Sequence, residues 1–163
     1  MIKSINAREL PRLILSIMIC QAAGIIGSIF TSSSVSTWYT TLTKPEFTPP
    51  GSVISAVWLI LFTLMGISLF LIWREGSSRQ EVKSSLFIFA AQLIVNVLWS
   101  GAFFGLRSPS AGIIAIAVLW ALILLTIVKF WPISRAAALL LVPYILWVSF
   151  AAFLNFSIWR LNS

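Results

Sequence analysis

Five long apolar runs, almost free of charged residues, dominate this chain of 163 residues. Each run is long enough to cross the hydrocarbon core of a bilayer, which takes about 20 helical residues. The runs lie near residues 13–30, 53–73, 84–106, 111–130 and 136–158. Charged residues make up only 9% of the chain, against roughly 25% in soluble domains, and almost all of them lie outside the runs. The sequence therefore predicts an all-α integral membrane protein, a bundle of five transmembrane helices that forms one domain over residues 1–163.

The basic residues, which lie outside the runs or at their ends, are unevenly divided between the two sides of the membrane. In a protein with five spans, the N-terminus shares a side with the second and fourth loops. That side carries Lys3, Arg8, Arg12, Arg74, Arg79, Lys83, Lys129 and Arg135, and the other carries Lys44, Arg107 and Arg160. Cytoplasmic loops usually hold the excess of Lys and Arg, so we expect a cytoplasmic N-terminus.

The net charge of +7 is therefore explained by membrane topology. The basic residues are scattered over short loops and do not collect on one face, which argues against binding of nucleic acid. The first run lacks the cleavage site of a signal peptide, and no Arg- and Ser-rich transit peptide precedes it. We accordingly expect a multi-pass protein of a prokaryotic cell membrane.

The loop between the first two runs is unusually rich in aromatic residues and proline. It reads WYTTLTKPEFTPPG over residues 38–51, which we call the lid segment. Pro45, Pro49 and Pro50 suppress helix locally, because proline lacks an amide hydrogen and restricts the residue before it. We expect a stiff, apolar loop that folds down onto the ends of the helices as a lid.

Several kinds of chemistry are excluded by what the sequence lacks. The chain has no histidine, and its four acids, Glu9, Glu46, Glu75 and Glu81, all lie outside the apolar runs. Proton-coupled transporters use carboxylates or histidines within the membrane, and zinc sites and Ser-His-Asp hydrolases need side chains that cannot be assembled here. We predict no metal site, no required cofactor and no tight axial ligation of haem iron.

Polar and aromatic residues inside the runs recur at helical spacing. The second run contributes Trp58 and Phe62; the third contributes Gln92, Asn96, Trp99, Ser100 and Phe103 or Phe104; and the fifth contributes Tyr144, Trp147, Ala151 and Asn155. Amides at membrane depth face the interior of a bundle, because unpaired amides are costly in hydrocarbon. Each amide taken alone is explained by a hydrogen bond between helices. The presence of the tryptophans is also explained by packing within the bundle. Together the residues also describe a pocket for a flat, apolar ligand with a few polar edges.

Small residues spaced four apart mark surfaces where helices pack closely. Ala23 and Gly27 form such a pair in the first run, and Gly101 and Gly105 form one in the third. Such pairs occur both within monomers and between protomers. They predict either internal packing or the seam of a homodimer, and a homodimer is our expectation for the assembly.

In their order and spacing, these motifs resemble the TspO/MBR family of tryptophan-rich sensory proteins and translocator proteins. The resemblance rests on the lid segment, on Trp58, and on Asn96-x-x-Trp99-Ser100 with Phe103-Phe104-Gly105. It continues through Pro143-Tyr144-x-x-Trp147, Phe150-Ala151, Leu154-Asn155 and Arg160-x-Asn162. These motifs spread over nearly the whole chain.

The resemblance implies a ligand cavity closed by the first loop, often in a dimer. Ligands of the family include protoporphyrin IX and other tetrapyrroles, cholesterol in animals, and synthetic isoquinoline carboxamides and benzodiazepines. Some bacterial members break down protoporphyrin in light with two tryptophans that match Trp58 and Trp147, which makes these our candidate catalytic residues. Family contact positions match Tyr39, Pro49, Asn96, Trp99, Ser100, Tyr144 and Ala151, and we add Trp38, Trp58, Phe62, Phe103 and Trp147 as ligand-binding candidates.

One position departs from the family pattern. Phe156 stands where the animal cholesterol motif has a tyrosine before a basic residue, here Arg160, so the fifth span lacks this motif. The lid carries a loose match to the same pattern, Val35-x3-Tyr39-x4-Lys44, which leaves sterol binding open. The expected function is a membrane receptor or sensor that binds porphyrins, with light-dependent degradation left open. The alternatives are a facilitative transporter of porphyrins or other amphipathic molecules, and a membrane scaffold regulated by its ligand.

Overall fold

The computed structural model describes residues 5–163, so Lys3 lies outside the described residues. Within that range every regular element is helical. Five segments are long and apolar enough to cross a membrane, namely Leu10–Val35, Gly51–Trp73, Gln80–Gly105, Pro109–Phe130 and Arg135–Leu161. The prediction of five spans is confirmed; each span begins one to four residues before its predicted apolar run, and the third ends one residue before the end of its run.

The helices, in chain order, are α1 (Leu10–Val35), α2 (Trp38–Thr41), α3 (Gly51–Trp73), α4 (Gln80–Ser100), α5 (Pro109–Phe130), α6 (Arg135–Leu140) and α7 (Val142–Leu161). The short helix α2 is the start of the lid segment. The third span continues past α4 as a π-helical turn over Gly101–Gly105. The fifth span consists of α6 and α7, and Pro143 lies in the first turn of α7, where a missing amide hydrogen costs least.

Helix α1 lies between α3 and α4 and touches them at different levels. On the N-terminal side of the membrane it packs on α3, where Gly66 meets the backbone of Ile17. On the lid side it packs on the third span. There the Ser34 hydroxyl donates to the carbonyl of Phe104 at 2.8 Å. Helix α1 therefore leans from α3 toward α4 as it approaches the lid segment.

The small residues of the first and third runs pack against partners within the chain. A Cβ atom on Gly27 would lie 3.2 Å from the Ser100 hydroxyl, and one on Gly105 would lie 3.1 Å from the Phe30 ring. Gly101 faces the same ring, and Ala23 is buried. The three glycines therefore serve the contact between α1 and the third span.

Large apolar side chains cover the outside of the bundle. Phe87 is 75% exposed, Leu106 73% and Ile114 70%. A bilayer solvates such surfaces, so their exposure agrees with a protein that spans the membrane. On the N-terminal side, Arg74 and Glu9 form an ion pair at 3.1 Å that joins the start of α1 to the end of α3.

Candidate ligand-binding cavity

A cavity of about 340 Å³ lies between the lid-side halves of α1, α3, the third span and α7. Its volume is at the lower end of the roughly 300–1,000 Å³ typical of small-molecule sites. Most of its wall is apolar or aromatic, and the polar groups are amides and hydroxyls. The cavity thus has the composition expected for a flat, largely apolar ligand.

A continuous series of aromatic rings forms one wall. The Trp58 and Trp99 rings lie 6.0 Å apart between centroids with an interplanar angle of 35°. Phe62 extends the series below Trp58 at 5.6 Å, and Phe103 extends it above Trp99 at 6.4 Å. Trp147 stands in the wall contributed by α7, packed on Phe150 at 5.4 Å. Helical spacing therefore brings the three tryptophans around one cavity.

A chain of hydrogen bonds lies beneath the cavity. The Asn96 side-chain amide donates to the Tyr144 hydroxyl at 2.8 Å, and that hydroxyl donates to Oε1 of Gln92 at 2.9 Å. All three side chains are buried. Asn96 also lines the cavity, so it connects the cavity wall to the buried polar groups below.

Asn155 and Trp147, both on α7, contribute two further polar groups to the cavity wall. The Trp99 indole nitrogen donates to Oδ1 of Asn155 at 3.3 Å, and the Asn155 amide donates to the Pro109 carbonyl at 2.9 Å. The indole nitrogen of Trp147 is buried and has no hydrogen-bond partner among residues 5–163. A ligand acceptor beside Trp147 would satisfy that donor.

The lid segment is fastened over the cavity. Asn162 exchanges two hydrogen bonds of 2.9 Å with the backbone of Thr43, one in each direction. The Lys44 ammonium donates to the Tyr39 and Leu42 carbonyls at 2.8 and 3.0 Å and lies 4.7 Å from the centroid of the Tyr39 ring. Phe47 stacks on Phe153 at 5.3 Å.

Tyr39 is the residue of the lid segment that lines the cavity. Its ring packs on Phe104 at 5.6 Å and on Phe103 at 6.3 Å. Burial raises the pKa of Tyr39 above its ordinary value, so its hydroxyl is neutral at physiological pH. The lid side of the cavity is thus closed by an uncharged aromatic residue.

The structure brings most of the predicted ligand-binding residues to this cavity. Those that line it are Tyr39, Trp58, Phe62, Asn96, Trp99, Ser100, Phe103, Trp147 and Ala151. Three others do not line it. Trp38 packs behind Phe103 at 5.6 Å, Pro49 lies near the end of the lid segment, and Tyr144 is buried below Asn96.

Several lining residues were absent from the predicted set. Gln21, Ser28 and Thr31 come from α1, and Ile54, Ser55 and Phe150 come from the other spans. Asn155 and Phe104, which helical spacing places among the pocket residues, also line the cavity. Gln21 carried a usable signal, because an amide in the middle of an apolar run needs a partner in the bundle. It finds one in Thr63, whose hydroxyl lies 2.9 Å from the Gln21 amide nitrogen.

Fold and cavity together define a class: a five-span membrane protein whose aromatic cavity is closed on one side by its first loop. Within this class, the sequence profile of the TspO/MBR family matches residues 16–160. The chain is 45% identical to "Tryptophan-rich protein TspO" of Chlorobaculum tepidum, over 95% of this chain and 98% of that protein. It is 34% identical to "Tryptophan-rich sensory protein" of Cereibacter sphaeroides over 77% of each chain, and 33% identical to "Translocator protein" of Homo sapiens over 84% and 82%. The chain therefore belongs to the TspO/MBR family of membrane proteins.

Proposed function

We propose that this protein is a membrane receptor or sensor that binds protoporphyrin IX or a related flat, amphipathic tetrapyrrole in the cavity. The observation that carries the proposal is the convergence of Trp58, Trp99 and Trp147 on one cavity at membrane depth. Indole faces stack well on a flat conjugated ring. Asn96 and the free indole nitrogen of Trp147 supply polar groups for the ligand's edge.

The geometry limits how such a ligand would lie. Trp58 and Trp99 already contact one another, so a flat ring would lie across their cavity-facing sides and not between them. The cavity volume of about 340 Å³ is small for a tetrapyrrole, so part of the ligand would extend through an opening or displace the lid segment. Lys44 is occupied with carbonyls of its own loop, which makes it a poor partner for a propionate of the ligand.

A titration of the purified protein with protoporphyrin IX in darkness tests the proposal. Saturable quenching of tryptophan fluorescence is expected, and Trp58→Phe or Trp147→Phe should weaken the affinity. Trp159→Phe is the matched control, because this exposed indole packs on Phe156 and does not line the cavity. Quenching that never saturates, or that weakens equally in the control, would overturn the proposal.

Light-dependent breakdown of the bound porphyrin is a further part of the proposal. The excited ligand would react through oxygen or through electron transfer with Trp58 or Trp147, while the protein holds it in place. Illumination should then remove the Soret band faster than in free porphyrin and yield a defined product. Unchanged bleaching in the Trp58→Phe, Trp147→Phe double variant would rule out the indole mechanism.

Two alternative functions, facilitated transport of porphyrins and a scaffold controlled by its ligand, have their own tests. Porphyrin flux into liposomes that contain the protein would favour transport, and a partner protein retained only with ligand would favour a scaffold. A homodimer is likewise a proposal. Analytical ultracentrifugation in detergent of matched density would measure its mass directly.

A further inference from the structure

The cavity has an opening in its wall on the outer surface of the bundle, between α1 and α3. Four residues line the cavity and are also exposed: Ile25 and Ser28 on α1, and Ser55 and Leu59 on α3. Ile25 is 65% exposed and Leu59 is 61% exposed. Residues with both properties form the rim of an opening. We call the opening that these four residues surround the lateral opening.

The way α1 packs creates the lateral opening. Below it, the Gln21 amide donates to the Leu59 carbonyl at 3.1 Å and to the Thr63 hydroxyl at 2.9 Å, which holds α1 to α3. Above that level α1 is held to the third span, where Gly27 meets Ser100. Between these two levels Gly24 still meets the Phe62 ring of α3. The two helices therefore separate on the lid side of Gly24.

The lateral opening lies at the depth of lipid tails. Leu59 is eight residues into α3 and Ile25 is ten residues from the end of α1, so with a rise of 1.5 Å both lie about 12–15 Å below the lid end. Ser28 and Ser55 lie about 10 and 6 Å below it. The hydrocarbon core is about 30 Å thick, so the rim lies in the lid-side half of that core. The Ser28 and Ser55 hydroxyls donate to carbonyls of their own helices, at 2.7 and 2.9 Å, so they present no free donor to the lipid.

The lid side offers no comparable path among the described residues. Asn162 holds the backbone of Thr43, Lys44 holds two carbonyls of the lid segment, and Tyr39 packs on Phe103 and Phe104. We propose that ligands reach the cavity sideways from the bilayer, through the lateral opening, and not through the lid segment. The proposal rests on the proposed function and specifies its ligands as amphipathic molecules that first partition into the membrane.

The route is tested by the association rate of protoporphyrin IX with the protein in lipid nanodiscs, measured by stopped-flow quenching of tryptophan fluorescence. Ser28→Phe and Ser55→Phe each add a ring to the rim, and each should slow association by about tenfold, equivalent to a barrier raised by about 1.4 kcal/mol. Ser33→Phe is the matched control, because Ser33 is exposed on α1 but does not line the cavity. Asn162→Ala releases the lid segment and should leave the association rate unchanged.

The outcomes separate the route from the function. Normal rates in both rim variants, or faster association in Asn162→Ala, would overturn the lateral route while leaving the binding site in place. An absence of saturable binding in the parent protein would overturn the proposed function, and the route with it. A second prediction is independent of any variant: the association rate should follow the mole fraction of porphyrin in the bilayer and not its aqueous concentration.

Discussion

Single glycines decide how closely the spans of this bundle approach one another. A Cβ atom on Gly66 would lie 2.5 Å from the Ile17 Cα atom and 2.9 Å from its backbone nitrogen. Backbone atoms cannot move aside as the end of a side chain can. The pattern of small residues spaced four apart does not include Gly66, because the residues four positions away, Phe62 and Phe70, are large.

Gly66→Ala should therefore destabilise the bundle. Overpacking of a tight contact costs about 1–3 kcal/mol, because the helices must shift to make room. Thermal unfolding in detergent, followed by circular dichroism, would show the lower midpoint. Gly51→Ala is the control, since nothing lies within 4 Å of the corresponding Cβ position. Equal midpoints for the two variants would contradict the close contact between α1 and α3.

The Tyr144 hydroxyl joins two buried amides, so its removal has an effect beyond one lost bond. Tyr144→Phe would leave Asn96 without its acceptor and Gln92 without its donor. A buried polar group left unpaired costs about 1–3 kcal/mol, and unfolding measurements should show a loss of this size. Tyr39→Phe is the control, because the Tyr39 hydroxyl makes no side-chain hydrogen bond within residues 5–163 in this structure. A Tyr144→Phe variant as stable as this control would argue against the hydrogen-bonded chain.

At the scale of elements, two irregular segments shape the cavity. The π-helical turn over Gly101–Gly105 carries Phe103 and Phe104, and such turns are frequent at functional sites. The lid segment carries Tyr39 and is tied by Asn162 to the end of α7. Prolines predicted the irregular lid, but its attachment to Asn162, 119 residues away along the chain from Thr43, has no local signal.

The tie between Asn162 and Thr43 predicts the local stability of the lid segment. Asn162→Ala removes both hydrogen bonds to Thr43, so amide exchange over residues 39–48 should become faster while exchange in α3 stays unchanged. Hydrogen–deuterium exchange with mass spectrometry measures both regions in one experiment. Ser163→Ala is the control, because the Ser163 hydroxyl bonds only to the Trp159 carbonyl. Equal exchange in both variants would show that other contacts hold the lid segment.

At the scale of the whole molecule, the five spans could be predicted from run length and charge alone. A bilayer requires backbone groups to be paired within each segment, so an apolar run of this length has few alternatives to a helix. The stripe of Gln92, Asn96 and Ser100 followed from helical period in the same way. The position of Tyr144 below the cavity, and the gap between α1 and α3, depend on how helices tilt against each other, which periodicity does not specify.

The uneven distribution of basic residues predicts how the molecule sits in its membrane. Ser36 lies at the lid end of α1, Ser77 lies between α3 and α4, and both are exposed. In intact cells, a maleimide that cannot cross membranes should label Ser36→Cys, and should label Ser77→Cys only after permeabilisation. The native Cys20 is buried, so background labelling should be low. The reverse pattern would place the lid segment in the cytoplasm.

The location of a bound porphyrin tests the central claim most directly. We would determine the structure of the protein with protoporphyrin IX by crystallography in a lipid phase. Our account predicts density for the ring across the cavity-facing sides of Trp58 and Trp99, with an edge beside the indole nitrogen of Trp147. Density confined to the outer surface of the bundle, with this cavity empty, would contradict the claim that the three tryptophans form a tetrapyrrole site.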